Sequence, residues 1–565
     1  MPVPSQPPIT LADVQVRIES MKLSRLELKR LKTGINRICQ MAGTSPADAA
    51  VNAGELRKII NSIHPAAHNI KHRTFDCYRS HLARALRLVG ALDQYVGGRA
   101  NDHPAWAPLL SAFDPVKRRT ISPFMNWCAA KGIMPTDVSD RTLQEYLNWR
   151  EHRTLVRRPR LGVPNLPRIW NDASKEIRGW PVQKLDPRAI RLPQRWRSWE
   201  QLSAQLQADA GVYLAARAKP DLFDPRPDTP KYPLSQSSLD ECRRQIRVAA
   251  SILLDHAEYD APVSSLADLV RPEAFEIIIR RLHDKAGGKH SGLAACMVAM
   301  LQHVARFHLD APREQLEQLR AVADKLPRRS PGLSHTDMAL LGRFEAKRLR
   351  AKLLFLPGKL HSYVASELEN GRVRVGTTHA AMAIEILLVA PMKLGDLRRL
   401  NWRRHFRKNE GRRGGLIIHI RATERVSGNR ELIYWLPEDV AHRLCWYRDH
   451  LVPKCAAVGD GELFVSSKGR LKHHCVLGHQ ITKTMADYIG IPVTPIQFRH
   501  LAAMFYLERN PGDFETLRAL LGFSETRTAR RYGGLSRRMA TRAYTDLVIK
   551  KRNELKLQTA GPEIQ

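Results

Sequence analysis

Through the first 330 residues, apolar side chains recur at three- and four-residue spacing with few β-branched runs. That period predicts amphipathic helices packed face to face. Three stretches share one plan. In residues 121–153, ISPFMNWCAAKGIMPTDVSDRTLQEYLNWREHR, a helix is expected to end near Gly132, a Pro-containing turn to follow, and Asp140 to cap the next helix. Residues 35–63 and 246–282 loosely repeat the order helix, turn with Pro, short helix, apolar helix. Small helical bundles strung in tandem are predicted. Beyond Pro331 the texture changes. Helical text runs through THAAMAIEILLVAPMKLGDLRRLNW, and GGLIIHIRATERVSGNRELIYWLP then alternates around Ser427-Gly428-Asn429. This is a β-hairpin signal with LIIHI and ELIYWL as arms. Helices then resume. The expected fold class is mainly α: tandem helical bundles followed by an α+β domain with a small β-hairpin or sheet.

The breaks suggest boundaries. At 565 residues the chain exceeds one hydrophobic core. The divisions expected are a first bundle over 1–100, a second helical region with an Arg/Pro/Trp-rich linker over 101–230, a third helical domain over 231–330, and the C-terminal domain over 331–565. The linker, residues 157–199, carries too many prolines for a continuous helix. It is expected either to run as a basic strap along DNA or to wrap the protein, with Trp170, Trp180, Trp196 and Trp199 packing on a neighbouring bundle. Pro220 opens a second linker, and Ser334 or Thr336 is expected to cap the helix after the third.

Charge narrows the function. Ninety-one Lys and Arg oppose 56 Asp and Glu, a net charge of +35. The excess recurs along the whole chain, at Arg157–Arg160, Arg195–Arg197, Arg398–Arg413 and Arg527–Arg538. Positive charge spread over folded segments suits a long duplex, because each neutralised phosphate releases counterions. Double-stranded DNA is the expected partner, with Arg398, Arg403, Arg527, Arg530 and Arg531 as candidate contacts. No apolar window long enough for a membrane helix occurs, and the N-terminus lacks the pattern of a secretory signal. A cytoplasmic, nucleoid-associated protein with no membrane partner is expected. The eight cysteines form no CxxC pair. The spacing of His473, His474, Cys475 and His479 near Cys455 fits no standard site, so no metal is expected.

The chemistry-bearing residues lie in two segments. AMAIEILLVAPMKLGDLRRLNW, residues 381–402, resembles the first signature box of the tyrosine recombinase (phage integrase) family, with Asp396, Leu397, Leu400 and Trp402 in register and Lys393 at the position of its arginine. TPIQFRHLAAMFYLERNPGDFETLRALLGFSETRTARRYGGL, residues 494–535, resembles the second. Arg499, His500, Leu521, Gly522 and Tyr532 match, and the step from Phe523 to Tyr532 keeps its nine residues. The resemblance covers residues 331–551, with residues 235–330 resembling the family's core-binding domain more weakly, and it leaves residues 1–230 unexplained.

The resemblance implies site-specific recombination or integration, as in a mobile element: a tyrosine opens the phosphodiester and is held as a 3′-phosphotyrosyl intermediate. Arginines stabilise the charge on the phosphate, an acid protonates the leaving 5′ oxygen, and conservation of the bond energy makes a cofactor unnecessary. Tyr532 is the expected nucleophile and Arg499 the phosphate clamp, with His500, Lys393 and Arg425 as the further catalytic candidates. Four positions depart from the family. Lys393 replaces the first arginine, Arg425 stands where a hairpin lysine is expected, Ile496 replaces the histidine of His-x-x-Arg, and Phe523 stands where His or Trp is usual. Two alternatives stay open. Lys393 and Arg425 have exchanged roles, or the site has lost its chemistry and the chain serves as a DNA-binding, architectural partner of an active recombinase. Either way a homo-oligomer on DNA or an assembly with partner recombinases is implied. An RNA-binding helical-repeat protein would share the charge but not the ordered C-terminal spacing.

Overall fold

The computed structural model describes residues 9–94, 97–190, 196–221, 223–224, 229, 231–327, 332–408, 415–426, 430–455, 461–466 and 469–559. Pro331, Arg195, the basic stretch over residues 409–413, much of the linker after Pro220 and the Ser427-Gly428-Asn429 turn lie outside these residues. The chain forms two compact units, one of residues 1–183 with 331–565 and one of residues 184–330.

In the first unit, four helices build the N-terminal bundle: α1 (Leu11–Glu19), α2 (Arg25–Ala42), α3 (Ala53–Ser62) and α4 (His72–Leu88). Leu31, Ile35, Ile38, Leu82 and Leu86 fill its core at helical spacing. The next bundle holds α5 (Pro115–Ala130), α6 (Asp140–His152) and α7 (Leu166–Glu176). Its core is aromatic: Trp170 meets Trp180 edge to face at 4.7 Å, and Phe124 meets Tyr146 at 5.2 Å. The cap of α6 is Ser139, one residue before the expected Asp140; its hydroxyl accepts from the Thr142 N–H, and Asp140 takes the first helical position. Ser139 wins because its backbone is extended and Asp140 is already helical.

The Arg/Pro/Trp-rich segment is not uniformly extended, since α7 lies within it and carries Pro167 in its first turn. Trp170 and Trp180 are buried in the second bundle. Trp196 and Trp199 pack on the core of the other unit, beneath Lys285 and Arg243 respectively.

The second unit is a bundle of α8 (Ala204–Ala218), α9 (Gln236–Leu254), α10 (Pro272–Lys285), α11 (Gly292–His303) and α12 (Arg313–Asp324) around Ile246, Leu253, Phe275, Ile279 and Leu301.

The remainder of the first unit begins with α13 (His335–Arg343), capped by Ser334, then α14 (Leu356–Glu369) and α15 (Val375–Val389). From Thr378 to Leu387 every side chain of α15 is buried, so it is the central helix of this region. Pro391 stops it, and α16 (Leu394–Arg398) follows a short turn. The sheet has three antiparallel strands, β1 (Phe406–Lys408), β2 (Leu416–Ile420) and β3 (Leu432–Leu436), in that order. The expected hairpin is β2 with β3, and β1 adds a third strand pairing Phe406 with Ile418. Ile418, Ile420, Leu432, Tyr434 and Leu436 face the core, while Trp435 is 64% exposed on the other face. Helices α17 (His474–Ile489), α18 (Pro495–Arg509), α19 (Phe514–Leu521) and α20 (Gly533–Thr559) complete the chain. Among the described residues no helix is long and apolar enough to cross a membrane.

Candidate active site

The first turn of α18 is built by Thr494, whose side chain and that of Gln497 cap it reciprocally, with Pro495 at the first helical position. One turn on, Arg499 and His500 point into the protein. Both are buried, Arg499 at 2% exposure. Arg499 donates to the Pro391 carbonyl at 2.9 Å and the Leu521 carbonyl at 2.8 Å, and its guanidinium lies 5.1 Å over the Phe523 ring. It therefore ties the turn after α15 to the end of α19. Two of its five N–H groups are used this way.

Gly522 ends α19 in the left-handed region, φ +61°, which releases the chain toward Phe523 and the segment leading to Tyr532. Tyr532 is 1% exposed, and its hydroxyl lies 2.9 Å from Nδ1 of His500. Burial pushes the His500 ring down to about 4, against the pull of Asp337, so the ring is neutral at pH 7. Asp337 Oδ2 stands 4.0 Å from Nε2 of His500. With the ring proton on Nε2, facing this carboxylate, Nδ1 accepts from the Tyr532 hydroxyl. Burial also raises the Tyr532 hydroxyl above its ordinary value, and Arg531 and Arg499 pull the other way. Asp337 is itself fixed by Ser334 and Gln497.

Arg425 approaches from the sheet side. Its side chain is fully buried and donates to the carbonyls of Arg430 at 2.9 Å and Gly522 at 3.2 Å. Arg499 and Arg425 thus hold consecutive carbonyls, Leu521 and Gly522. The Asp396 carboxylate lies 3.4 Å from Arg425 and accepts from the Val426 N–H at 2.8 Å. Arg425 Nε is a buried donor with no partner among the described residues.

Lys393 is half-buried at the start of α16. Burial, and then the nearby Arg499 and Arg425 charges, hold its ammonium below the ordinary lysine value. The structure therefore brings Tyr532, His500, Arg499, Arg425 and Lys393 into one neighbourhood. Ile496 is placed differently, at the head of α18 and 51% exposed. Phe523 supports the site by packing under Arg499.

Of the candidate DNA contacts, Arg403, Arg527 and Arg530 are exposed and Arg531 is half-buried, 5.7 Å over the Tyr532 ring. Arg398 is half-buried and donates to the Lys472 carbonyl at 3.3 Å. Asp337 was not singled out in the sequence. Its only local signal, a position three residues after a helix-capping serine, is that of an ordinary capping residue. The exposed His473, His474 and Cys475 bring possible ligand atoms within 4.8 Å of one another, so these three could hold a cation although their spacing follows no standard pattern.

No protein-family model and no curated protein matches the chain. Among solved structures it is similar to a XerA recombinase, at 17% identity over 59% of this chain and 98% of that one, with a TM-score of 0.25. It is also similar to a XerH site-specific recombinase bound to its difH substrate before cleavage, at 13% identity over 57% and 89%, TM-score 0.30. A lambda integrase dimer bound to a COC′ core site is a third, at 14% identity over 68% and 89%, TM-score 0.36. The chain itself shows an arginine, a histidine and a tyrosine, in that order along the sequence, folded against a buried helix and one small sheet.

Proposed function

We propose that this chain binds duplex DNA and breaks and rejoins its strands through a 3′-phosphotyrosyl intermediate. The observation that carries the proposal is the buried hydrogen bond between Tyr532 and His500 beside two arginines. In the cleavage step the Tyr532 oxygen attacks phosphorus, its proton passes to Nδ1 of His500, and the bond from phosphorus to the 5′ oxygen breaks. Arg499 and Arg425 meet the charge on the non-bridging oxygens. The Nε of Arg425, a buried donor without a partner among the described residues, would be met by such an oxygen. Lys393, its proton loosened by burial and by two neighbouring cations, supplies the proton to the leaving oxygen. This assignment makes Lys393 the acid and Arg425 the clamp. Arg398, Arg403, Arg527, Arg530 and Arg531 contact the phosphate backbone. Strand exchange between two sites requires several protomers, and α20 offers the exposed Tyr544, Leu547 and Ile549 for contact with a neighbour or a partner recombinase.

The second reading, a DNA-binding and architectural homologue without strand cleavage, is favoured by the near-complete burial of Tyr532 and by the commitment of Arg499 to two backbone carbonyls. A nicked suicide duplex separates the two. DNA fragments bound by the chain are selected from a random pool, and the enriched duplex is nicked near its centre and incubated with the protein. A covalent protein–DNA adduct in the parent and none in Tyr532→Phe is expected. Tight duplex binding with no adduct would assign the architectural role, and an adduct persisting in Tyr532→Phe would remove Tyr532 as nucleophile.

A further inference from the structure

A cavity of about 700 Å³ lies between the first two bundles, walled by α4 and the turn after it, by α5 and α6, and by residues 153–157. Five arginines line it, Arg79, Arg87, Arg150, Arg153 and Arg157, against one carboxylate, Asp93. That carboxylate is already engaged, accepting from Trp149 Nε1 at 3.0 Å and Arg153 Nε at 2.8 Å. Arg79, Arg87, Arg150 and Arg157 thus face no second carboxylate among the described lining residues. Arg79 reaches Asp76, outside the cleft, at 3.4 Å. Arg150 contacts the Leu161 and Arg158 carbonyls only at 3.4 and 3.5 Å, the weak edge of hydrogen bonding. Most telling, Arg87 Nε is buried with no hydrogen-bond partner among the described residues. An acceptor entering the cleft would satisfy this buried donor.

The remaining wall is aromatic. Trp149 is half-buried on the cavity lining and stacks on Tyr146 at 5.9 Å and 23°. Anion-holding forks beside a flat π-surface suit a planar base carrying phosphate. The volume is that of a small-ligand site, roughly 300–1,000 Å³, and a concave space of this size does not admit a duplex. We propose that the cleft binds a nucleotide, its phosphates held by Arg87, Arg150 and Arg157 and its base against Trp149. The nucleotide is either free or the terminal unit of a single strand. This site is independent of the chemistry at Tyr532, and walls from two bundles mean that its occupant would fasten them together.

Calorimetric titration of the full chain at about physiological salt tests this, with adenosine triphosphate, adenosine, inorganic tripolyphosphate and a 5′-phosphorylated single-stranded decamer of thymidine as probes. Saturable binding of the triphosphate is expected, at least tenfold tighter than adenosine or tripolyphosphate. It should weaken tenfold or more in Arg87→Gln/Arg150→Gln. Should that variant unfold, Arg79→Glu, whose parent side chain is 40% exposed, should weaken binding several-fold with the thermal transition of the free protein unchanged. Tighter binding of the decamer than of the triphosphate assigns a strand end, and the reverse assigns a free nucleotide. Tripolyphosphate binding as tightly as the triphosphate would overturn the role of Trp149. Binding equal in parent and variants, or none to any probe, would overturn the site.

Discussion

The hydroxyl of Tyr532 lies 2.9 Å from Nδ1 of His500, and both side chains are buried although 32 residues separate them. A phenol and a neutral imidazole in this relation form a proton-transfer pair, and the Asp337 carboxylate 4.0 Å behind the ring favours the tautomer that accepts from tyrosine.

Acid should weaken the protein through His500. Its ring titrates near 4 when folded, well below the 6.5 expected of an exposed histidine. Between those values the unfolded chain binds the proton and the native one does not. The stability is thus complete above about pH 6.5 and falls as the pH drops toward 4. Urea unfolding at pH 7.5 and 4.5 should show the parent losing roughly 2 to 3 kcal/mol more than His500→Gln over that interval. An equal loss in both would mean that the ring is protonated in the native state.

Asp396 and Arg425 have fully buried side chains and face each other at 3.4 Å. Removing one partner leaves an uncompensated buried charge, so Arg425→Ala should cost about 3 to 5 kcal/mol in urea unfolding. Arg425→Ala/Asp396→Ala should cost clearly less than the two single losses together. Simple additivity would show that the two groups do not interact.

Gly522 has φ +61°, and a Cβ there would stand 2.4 Å from Leu432 Cδ2 and 3.2 Å from Arg425 Nη1. Gly522→Ala should therefore combine left-handed strain with overpacking, at about 2 to 4 kcal/mol. It should also displace the carbonyl that Arg425 holds. Parent-like stability by denaturant unfolding would show that the turn yields easily.

Gly490 joins the N-terminal bundle to the C-terminal region of the same unit. Its φ is +82°, and a Cβ would lie 2.3 Å from the backbone nitrogen of Ala67. Gly490→Ala should push the turn at Pro65–His68 away, and hydrogen exchange should report faster amides there with α15 unchanged. Unaltered exchange at Ala67 would contradict the close approach.

Ile496 sits one turn before Arg499 with its side chain half in solvent. On the proposed chemistry, Ile496→His supplies one more donor near the phosphate and should raise adduct formation on the suicide duplex by tenfold or more. A variant that binds the duplex as before but cuts no faster would place Ile496 outside the phosphate site.

Much of the scaffold was legible because its periods are local. The 3.6-residue spacing of Leu31, Ile35 and Ile38 and the two-residue alternation through Leu432, Tyr434 and Leu436 each report a buried face without reference to the rest of the chain. The strand Phe406–Lys408 was not legible, since three residues carry no period and only its pairing with Leu416–Ile418 defines it. The cap of α6 was misplaced by one residue because Ser139 and Asp140 both have capping side chains, and only the backbone angles separate them. Asp337 escaped notice because a carboxylate after Ser334 already has a local explanation.

The amino-acid sequence by itself determined the helical texture, the position of the small sheet, the strong positive charge and the order of Lys393, Arg425, Arg499, His500 and Tyr532 along the chain. Those follow from side-chain period, composition and spacing, which are properties of the chain as a string. Only the tertiary structure decided that His500 touches Tyr532, that Asp337 stands behind it, and that Arg499 and Arg425 hold the adjacent carbonyls of Leu521 and Gly522. Each of these contacts joins residues between 22 and 163 positions apart. Their geometry depends on how the turns after α15 and α19 close on α18, and burial then sets the protonation of the groups held there.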